Sequence, residues 1–166
     1  YILKAALGPY RDSGSLYFEY SIPRLLKRID VLALIGPVIF VLEFKVGEDR
    51  FTGFALDQVC DYALDLKNFH SASPSKLLLP EVIATDAPRK PIQLNLWPDD
   101  VAEPILSNGV GLDQLLLATV RRFPSQPRLD PHDWVASGYK PTPTIIEAAQ
   151  ALYRSHRVDE ITRSDA

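Results

Sequence analysis

The residues best equipped for chemistry are Asp30, Glu43 and Lys45. Two carboxylates in one place suit oxygen ligation of Mg2+ or Mn2+, with water filling the remaining positions. A neighbouring ammonium would orient a metal-bound water or stabilise negative charge developing on a phosphate. Their linear spacing does not unite them, but a β-hairpin does. The stretch reads RIDVLALI, then Gly36-Pro37, then VIFVLEFKV. Glycine at the first central position of a two-residue turn suits type II′. Ile35 then faces Val38, and pairing outward sets Asp30 opposite Glu43. Residues 29, 31, 33 and 35 share one face with 38, 40, 42 and 44, and all eight are apolar. A one-residue slip would destroy that match, so the pattern itself selects the register. The other face carries Leu32, Leu34, Ile39 and Val41, then changes to Asp30, Glu43 and Lys45.

Directly opposed carboxylates have Cβ atoms about 4.5–5.5 Å apart and repel. A proton, a basic side chain or a cation must offset that repulsion. The competing reading is a cross-strand ion pair at the solvated end of a hairpin.

The flanking elements follow from periodicity. Ser15 to Ile22 alternates, with Leu16, Phe18, Tyr20 and Ile22 on one face, and predicts a half-buried strand. Glu19 on that strand is a candidate third carboxylate, with an exposed strand acid as the alternative. Gly53 to Phe69 predicts a helix with Thr52 as N-cap and a core stripe of Ala55, Leu56, Val59, Tyr62, Ala63, Leu66 and Phe69. Gln58 and Tyr62, four apart, share a side of that helix. Lys76 to Thr85 predicts the next strand, with Pro80 marking a bulge or irregular start. Strand, helix, strand in this order implies a crossover and a parallel pair. The expected architecture is α/β: a mixed sheet with an antiparallel three-strand meander, a crossover helix and a returning parallel strand.

Residues 1–8 suggest the end of a helix. Short strands are expected at Ile92–Trp97 and Pro104–Ser107, and a helix at Leu112–Phe123. Residues 124–143 read as an ordered loop anchored by Trp134 and Tyr139, with His132 a surface histidine. A last helix begins near Pro143, and His156 to Ala166 reads as a connector.

At 166 residues the chain has enough length for one domain with a real core. Its single cysteine, Cys60, excludes an internal disulfide and reads as an inert helix thiol. No apolar run is long enough to span a bilayer, so the expectation is a soluble, cytoplasmic protein with no membrane partner. The absence of methionine and the start at Tyr1 suggest a piece of a longer protein. The net charge of −3 argues against a stand-alone nucleic-acid binder, because phosphate recognition usually demands a basic surface. Basic residues fall in three groups: Arg24, Lys27 and Arg28; Arg121, Arg122 and Arg128; Arg154, Arg157 and Arg163. Only the first adjoins the acids, so only it is expected to contact nucleic acid. No P-loop signature occurs.

Asp30 followed by Glu43-Phe44-Lys45 on the next strand resembles the PD-(D/E)XK, or restriction-endonuclease-like, nuclease superfamily. Ile29 stands where that family often has proline. Gln58-Val-Cys-Asp-Tyr62 is similar to the Gln-x-x-x-Tyr helix of RecB-like members. RIDVLAL, VLEFKVG and ALYRSHRVDEITRSDA also resemble the front part of bacterial proteins that join this nuclease fold to a superfamily 1 helicase-like ATPase. The resemblance implies a restriction-endonuclease-like core over residues 1–140, with 141–166 leading to an ATPase partner. It implies Mg2+ or Mn2+ held by Asp30, Glu43 and the backbone carbonyl of Phe44. Lys45 would be the catalytic cation, with Gln58 and Tyr62 holding the lysine, the water or a phosphate. The implied activity is phosphodiester hydrolysis, with DNA as the first substrate expected and RNA the alternative, in defence against foreign DNA. The competing functional reading is an inactive nuclease-like fold that serves the ATPase as a nucleic-acid-binding or regulatory module.

Overall fold

The computed structural model describes residues 1–123 and 128–140. The expected final helix and connector, with Arg154, Arg157 and Arg163, lie outside the described residues. The ordered elements are α1 (Ile2–Leu7), β1 (Gly14–Ile22), β2 (Lys27–Ile35), β3 (Val38–Lys45), α2 (Gly53–Phe69), β4 (Leu77–Ala84), β5 (Ile105–Ser107), α3 (Leu112–Arg122) and α4 (Pro131–Ser137). The five strands form one mixed sheet in sequential order. β1, β2 and β3 are an antiparallel meander; β3, β4 and β5 run parallel.

Gly36 takes φ +57° at the turn, and proline cannot follow it with positive φ, so the hairpin closes as type II′. Pairing runs from Ile35↔Val38 outward to Val31↔Leu42. The sheet has two apolar faces, which is why β3 and β4 are nearly continuous hydrophobic runs. One face, with Val31, Ala33, Phe40 and Leu42, packs against α1 and α3. The other, with Leu32, Leu34, Ile39 and Val41, packs against α2 through Ala55, Val59, Tyr62, Ala63 and Leu66, and against Trp134 of α4. Thr52 caps α2, its Oγ1 accepting from Ala55 N at 3.2 Å. Leu56 and Phe69, expected in the core stripe, are only half-buried, and Asp65 and Lys67 take buried places instead.

Regular alternation fails at one place. Ile29 was expected with Val31 but packs in the α2-side core, as Tyr17 and Tyr20 do, while Phe18 is left 62% exposed. Glu19 has φ +50°, between the pairs Phe18↔Val31 and Tyr20↔Ile29. A non-glycine residue in that region turns the strand sharply. Both strands change faces there, with Asp30 at the inflection.

Pro80 is neither a bulge nor an irregular start. It sits inside β4 paired with Val41. Leu78 N donates to Asp100 O on the β5 side, so the N–H that Pro80 lacks would point that way too. Pairing on that side resumes only at Glu81↔Ile105, so no ladder bond is lost there. The strand expected at Ile92–Trp97 is reduced to a single bridge, Leu96↔Ala102. The segment expected as loop around Trp134 contains α4, capped by Asp130, whose carboxylate accepts from His132 N and Asp133 N. Trp134 is buried as an anchor. Its ring stacks on His70 at 3.9 Å, and its Nε1 donates to Ser73 Oγ. Tyr139 bridges to His70. No described helix is long and apolar enough to cross a membrane.

Candidate active site

The candidate residues gather where β2 and β3 part. The ladder stops at Val31↔Leu42, so Asp30 and Glu43 are not a paired couple across the strands as the register suggested. β2 veers off at the Glu19–Asp30 inflection and leaves the outer end of β3 without a strand partner on that side. Asp30 fills the gap with its side chain: its Oδ2 accepts from Phe44 N at 2.8 Å. A strand residue's N–H and C=O point the same way, so the Phe44 carbonyl also faces this gap. Lys45 O points the other way and accepts from Thr85 N beyond β4.

Glu43 lies on the α2 side and is 3% exposed. Its Oε1 accepts from Lys45 Nζ at 2.8 Å. The same ammonium donates to Gln58 Oε1 at 3.2 Å, and Gln58 Nε2 donates to the Tyr62 hydroxyl at 2.6 Å. One helical turn of α2 thus anchors the end of the network in the core, because Tyr62 is itself buried. Lys45 keeps a quarter of its side chain in solvent. The network therefore runs from a buried phenol to an accessible cation. All five expected side chains, Asp30, Glu43, Lys45, Gln58 and Tyr62, meet here.

Burial raises the Glu43 carboxyl above its ordinary range; the Lys45 hydrogen bond opposes this, and the nearby Asp30 charge adds to it. Burial likewise raises the Tyr62 phenol, with Gln58 opposing and Glu43 and Asp30 adding. Glu43 Oε2 is buried with no hydrogen-bond partner among the described residues. An orphaned carboxylate oxygen beside a second carboxylate and an inward-facing carbonyl is a donor set that fits a hard divalent cation. No group of three or more His, Cys, Asp or Glu is assembled among the described residues. The donor set is therefore two acids and a carbonyl, the sparse kind that leaves room for waters and substrate oxygens.

Two expectations fail. Glu19 does not join the acids: its side chain is 63% exposed and stands 3.8 Å from an equally exposed Arg28. Its positive φ turns it away from the cluster, and a solvated pair of this kind contributes little. Arg24 is not presented to a substrate. Its Nε donates to buried Asp65 at 3.0 Å and its guanidinium stacks 3.5 Å from the Phe69 ring centre, which fastens the β1–β2 turn to α2. Lys27 and Arg28 are exposed at the start of β2.

Some buried polar groups escaped the sequence reading. Glu81 is fully buried on β4, on the opposite face, with Oε1 accepting from Ser107 Oγ at 2.6 Å. Its signal was legible: a lone acid in the apolar run LLLPEVIA. His70, buried at the end of α2, had no such signal. Its partners Ser73, Trp134 and Tyr139 converge only in the fold. Cys60 is half-buried, and burial raises its thiol above the ordinary range, which fits an unreactive helix residue.

No family model matches the chain, and neither a curated protein nor a solved structure does.

Proposed function

We propose that the chain is a metal-dependent nuclease domain of the PD-(D/E)XK type, hydrolysing phosphodiester bonds, with DNA as its substrate. The observation that carries this reading is the orphaned, buried Glu43 Oε2 beside Asp30, with the Lys45 ammonium fixed between Glu43 and Gln58. A purely structural ion pair has no need of a second carboxylate beside it, here the half-buried Asp30.

Asp30, Glu43 and the Phe44 carbonyl would hold Mg2+ or Mn2+, which supplies Lewis-acid polarisation of the phosphate and lowers the pKa of a bound water. The chain's own contribution is positioning. Asp30 is oriented by the Phe44 N–H. Gln58, held by Tyr62, keeps the ammonium of Lys45 from collapsing wholly onto Glu43. Lys45, fixed and partly solvated, faces the place where a phosphate would lie and stabilises charge developing on it. The resemblance to nuclease–ATPase fusions makes an ATP-driven helicase-like domain the proposed partner.

The test is degradation of plasmid, linear and single-stranded DNA, and of RNA, by the purified chain with Mn2+ or Mg2+. Activity lost in EDTA and in Lys45→Ala supports the reading. Wild type and Lys45→Ala that are equally inert, yet both bind DNA, would leave a binding module.

A further inference from the structure

We propose that a second site, the groove between residues 89–94 and α3, binds the sugar–phosphate backbone of the nucleic-acid strand that reaches the hairpin cluster. This rests on the nuclease reading of that cluster. The groove encloses about 370 Å³ and is lined by Arg89, Lys90 and Arg122 together with Gln114. No carboxylate lines it, although the chain is acidic overall. Grouped cations without acids are what phosphate recognition requires, and the groove has the volume of a small-ligand site. Ile92 and Leu94 give it an apolar wall for a sugar or base face.

The cations are poised rather than neutralised. Arg122 donates one N–H to Leu94 O at 3.0 Å, which fixes its guanidinium at the rim. Arg89 has no ion pair or hydrogen bond among the described residues. Lys90 stands 4.9 Å from the Phe51 ring centre.

That approach of Lys90 to Phe51 ties the groove to the cluster. Phe51 belongs to the segment between β3 and α2 and packs into the α2-side core. The end of β3 and this segment are joined to the chain after β4: Thr85 N donates to Lys45 O, Asp86 N to Glu48 O, and Gly47 N to Thr85 Oγ1. Arg89 and Lys90 follow directly, and Asn108, just past β5, donates to Ala87 O. The C-terminal ends of the three parallel strands thus form one continuous edge. The carboxylates lie on its α2 side and the groove on its α3 side, so a strand crossing the edge meets both. The sequence grouped Arg122 with Arg121 and Arg128, a group not expected to contact nucleic acid, and left Arg89 and Lys90 unremarked.

The test measures anisotropy of a fluorescein-labelled oligonucleotide in EDTA, so that binding is read without cleavage. Arg89→Gln/Lys90→Gln is expected to weaken binding at least tenfold. It should lower the slope of log K against log salt by about 0.7–0.9 for each phosphate that the protein no longer neutralises. Lys4→Gln/Lys140→Gln removes the same charge from other surfaces and should bind as wild type does. Amine-reactive labelling of the unmutated protein gives a check that no variant's folding can spoil: DNA should protect Lys90 and not Lys4. Unchanged affinity and slope in Arg89→Gln/Lys90→Gln, or no protection of Lys90, would overturn the proposal. So would displacement of the strand by free mononucleotide at equal affinity, which would make the groove a nucleotide pocket. Absence of nuclease activity from the unmutated protein in the parallel Mn2+ assay bears on the catalytic reading alone, because the binding readout contains no metal.

Discussion

Two buried glutamates on adjacent strands meet opposite fates. Glu43 on β3 and Glu81 on β4 are both almost wholly withdrawn from water. Glu43 has an ammonium, an amide and a second carboxylate around it, and a strand end that opens towards solvent. Glu81 has a single hydroxyl, that of Ser107, which also accepts from Gly109 N. Burial raises both carboxyls, and Glu81, opposed only by that hydrogen bond, is pushed up to about 7. Burial alone therefore does not make a site. Each glutamate also keeps one buried oxygen without a hydrogen-bond partner among the described residues. A buried acid therefore becomes usable where the fold adds a compensating cation, a second carboxylate and an opening to solvent, and stays a structural group where it supplies only a hydrogen bond.

Exchanging each acid for its amide is the sharpest way to break this comparison. Glu43→Gln should reduce metal-dependent DNA cleavage by well over the roughly 100-fold that loss of an outer-shell metal partner costs. Glu81→Gln should leave cleavage within a few-fold of wild type. Equal losses from the two substitutions, in proteins of matched stability, would erase the distinction.

Stability against pH should separate them next. With its folded pKa raised, Glu81 keeps its proton when the unfolded chain has released it, so its contribution is full below about pH 4.5 and declines as pH rises through 7. Over that window the loss amounts to about 3 kcal/mol. His70 has the reverse sign: burial lowers it to about 4, so its contribution is present above the ordinary histidine range and is lost as pH falls through 4. Denaturant melts of wild type and Glu81→Gln across pH 4–8 isolate the first term by difference. The variant should lose the decline towards pH 7 and show the rise expected of His70.

Metal linkage is the third contrast. Mn2+ at about 100 times its dissociation constant should stabilise wild type by about 2.7 kcal/mol, read as a rise in Tm. Glu43→Gln should show little of this rise and Glu81→Gln all of it. Acidification should weaken the effect, because Glu43, already raised by burial, takes up a proton in competition with the ion.

The smallest effects belong to the support of Lys45. Gln58→Ala should lower cleavage about 10–100-fold, as loss of an orienting partner does. Tyr62→Phe removes only the acceptor for Gln58 Nε2 and should cost about 1 kcal/mol of stability, with a smaller loss of rate. Steady-state rates beside urea midpoints would distinguish an orienting role from a merely structural one.

The sequence determined a good deal. Strict period-two patterning about Gly36-Pro37 specified the hairpin and its register, because any slip would have put polar groups into the core. The cap at Thr52 and the stripe on α2 specified which face of the helix meets the sheet, and so brought Gln58 and Tyr62 beside Lys45. The order of strands and helix specified a mixed sheet. What the tertiary structure alone decided were departures from local pattern. The inflection at Glu19 turns two strands together, moves Ile29 to the other core and swings Asp30 into the gap beside Phe44. Arg24 is claimed by Asp65 and Phe69 from a helix far along the chain. The basic groove forms only when the chain after β4 folds against α3. Alternation and capping are written between near neighbours, which a linear reading can follow. Strand divergence, cross-element ion pairs and grooves depend on which distant surfaces finally pack together.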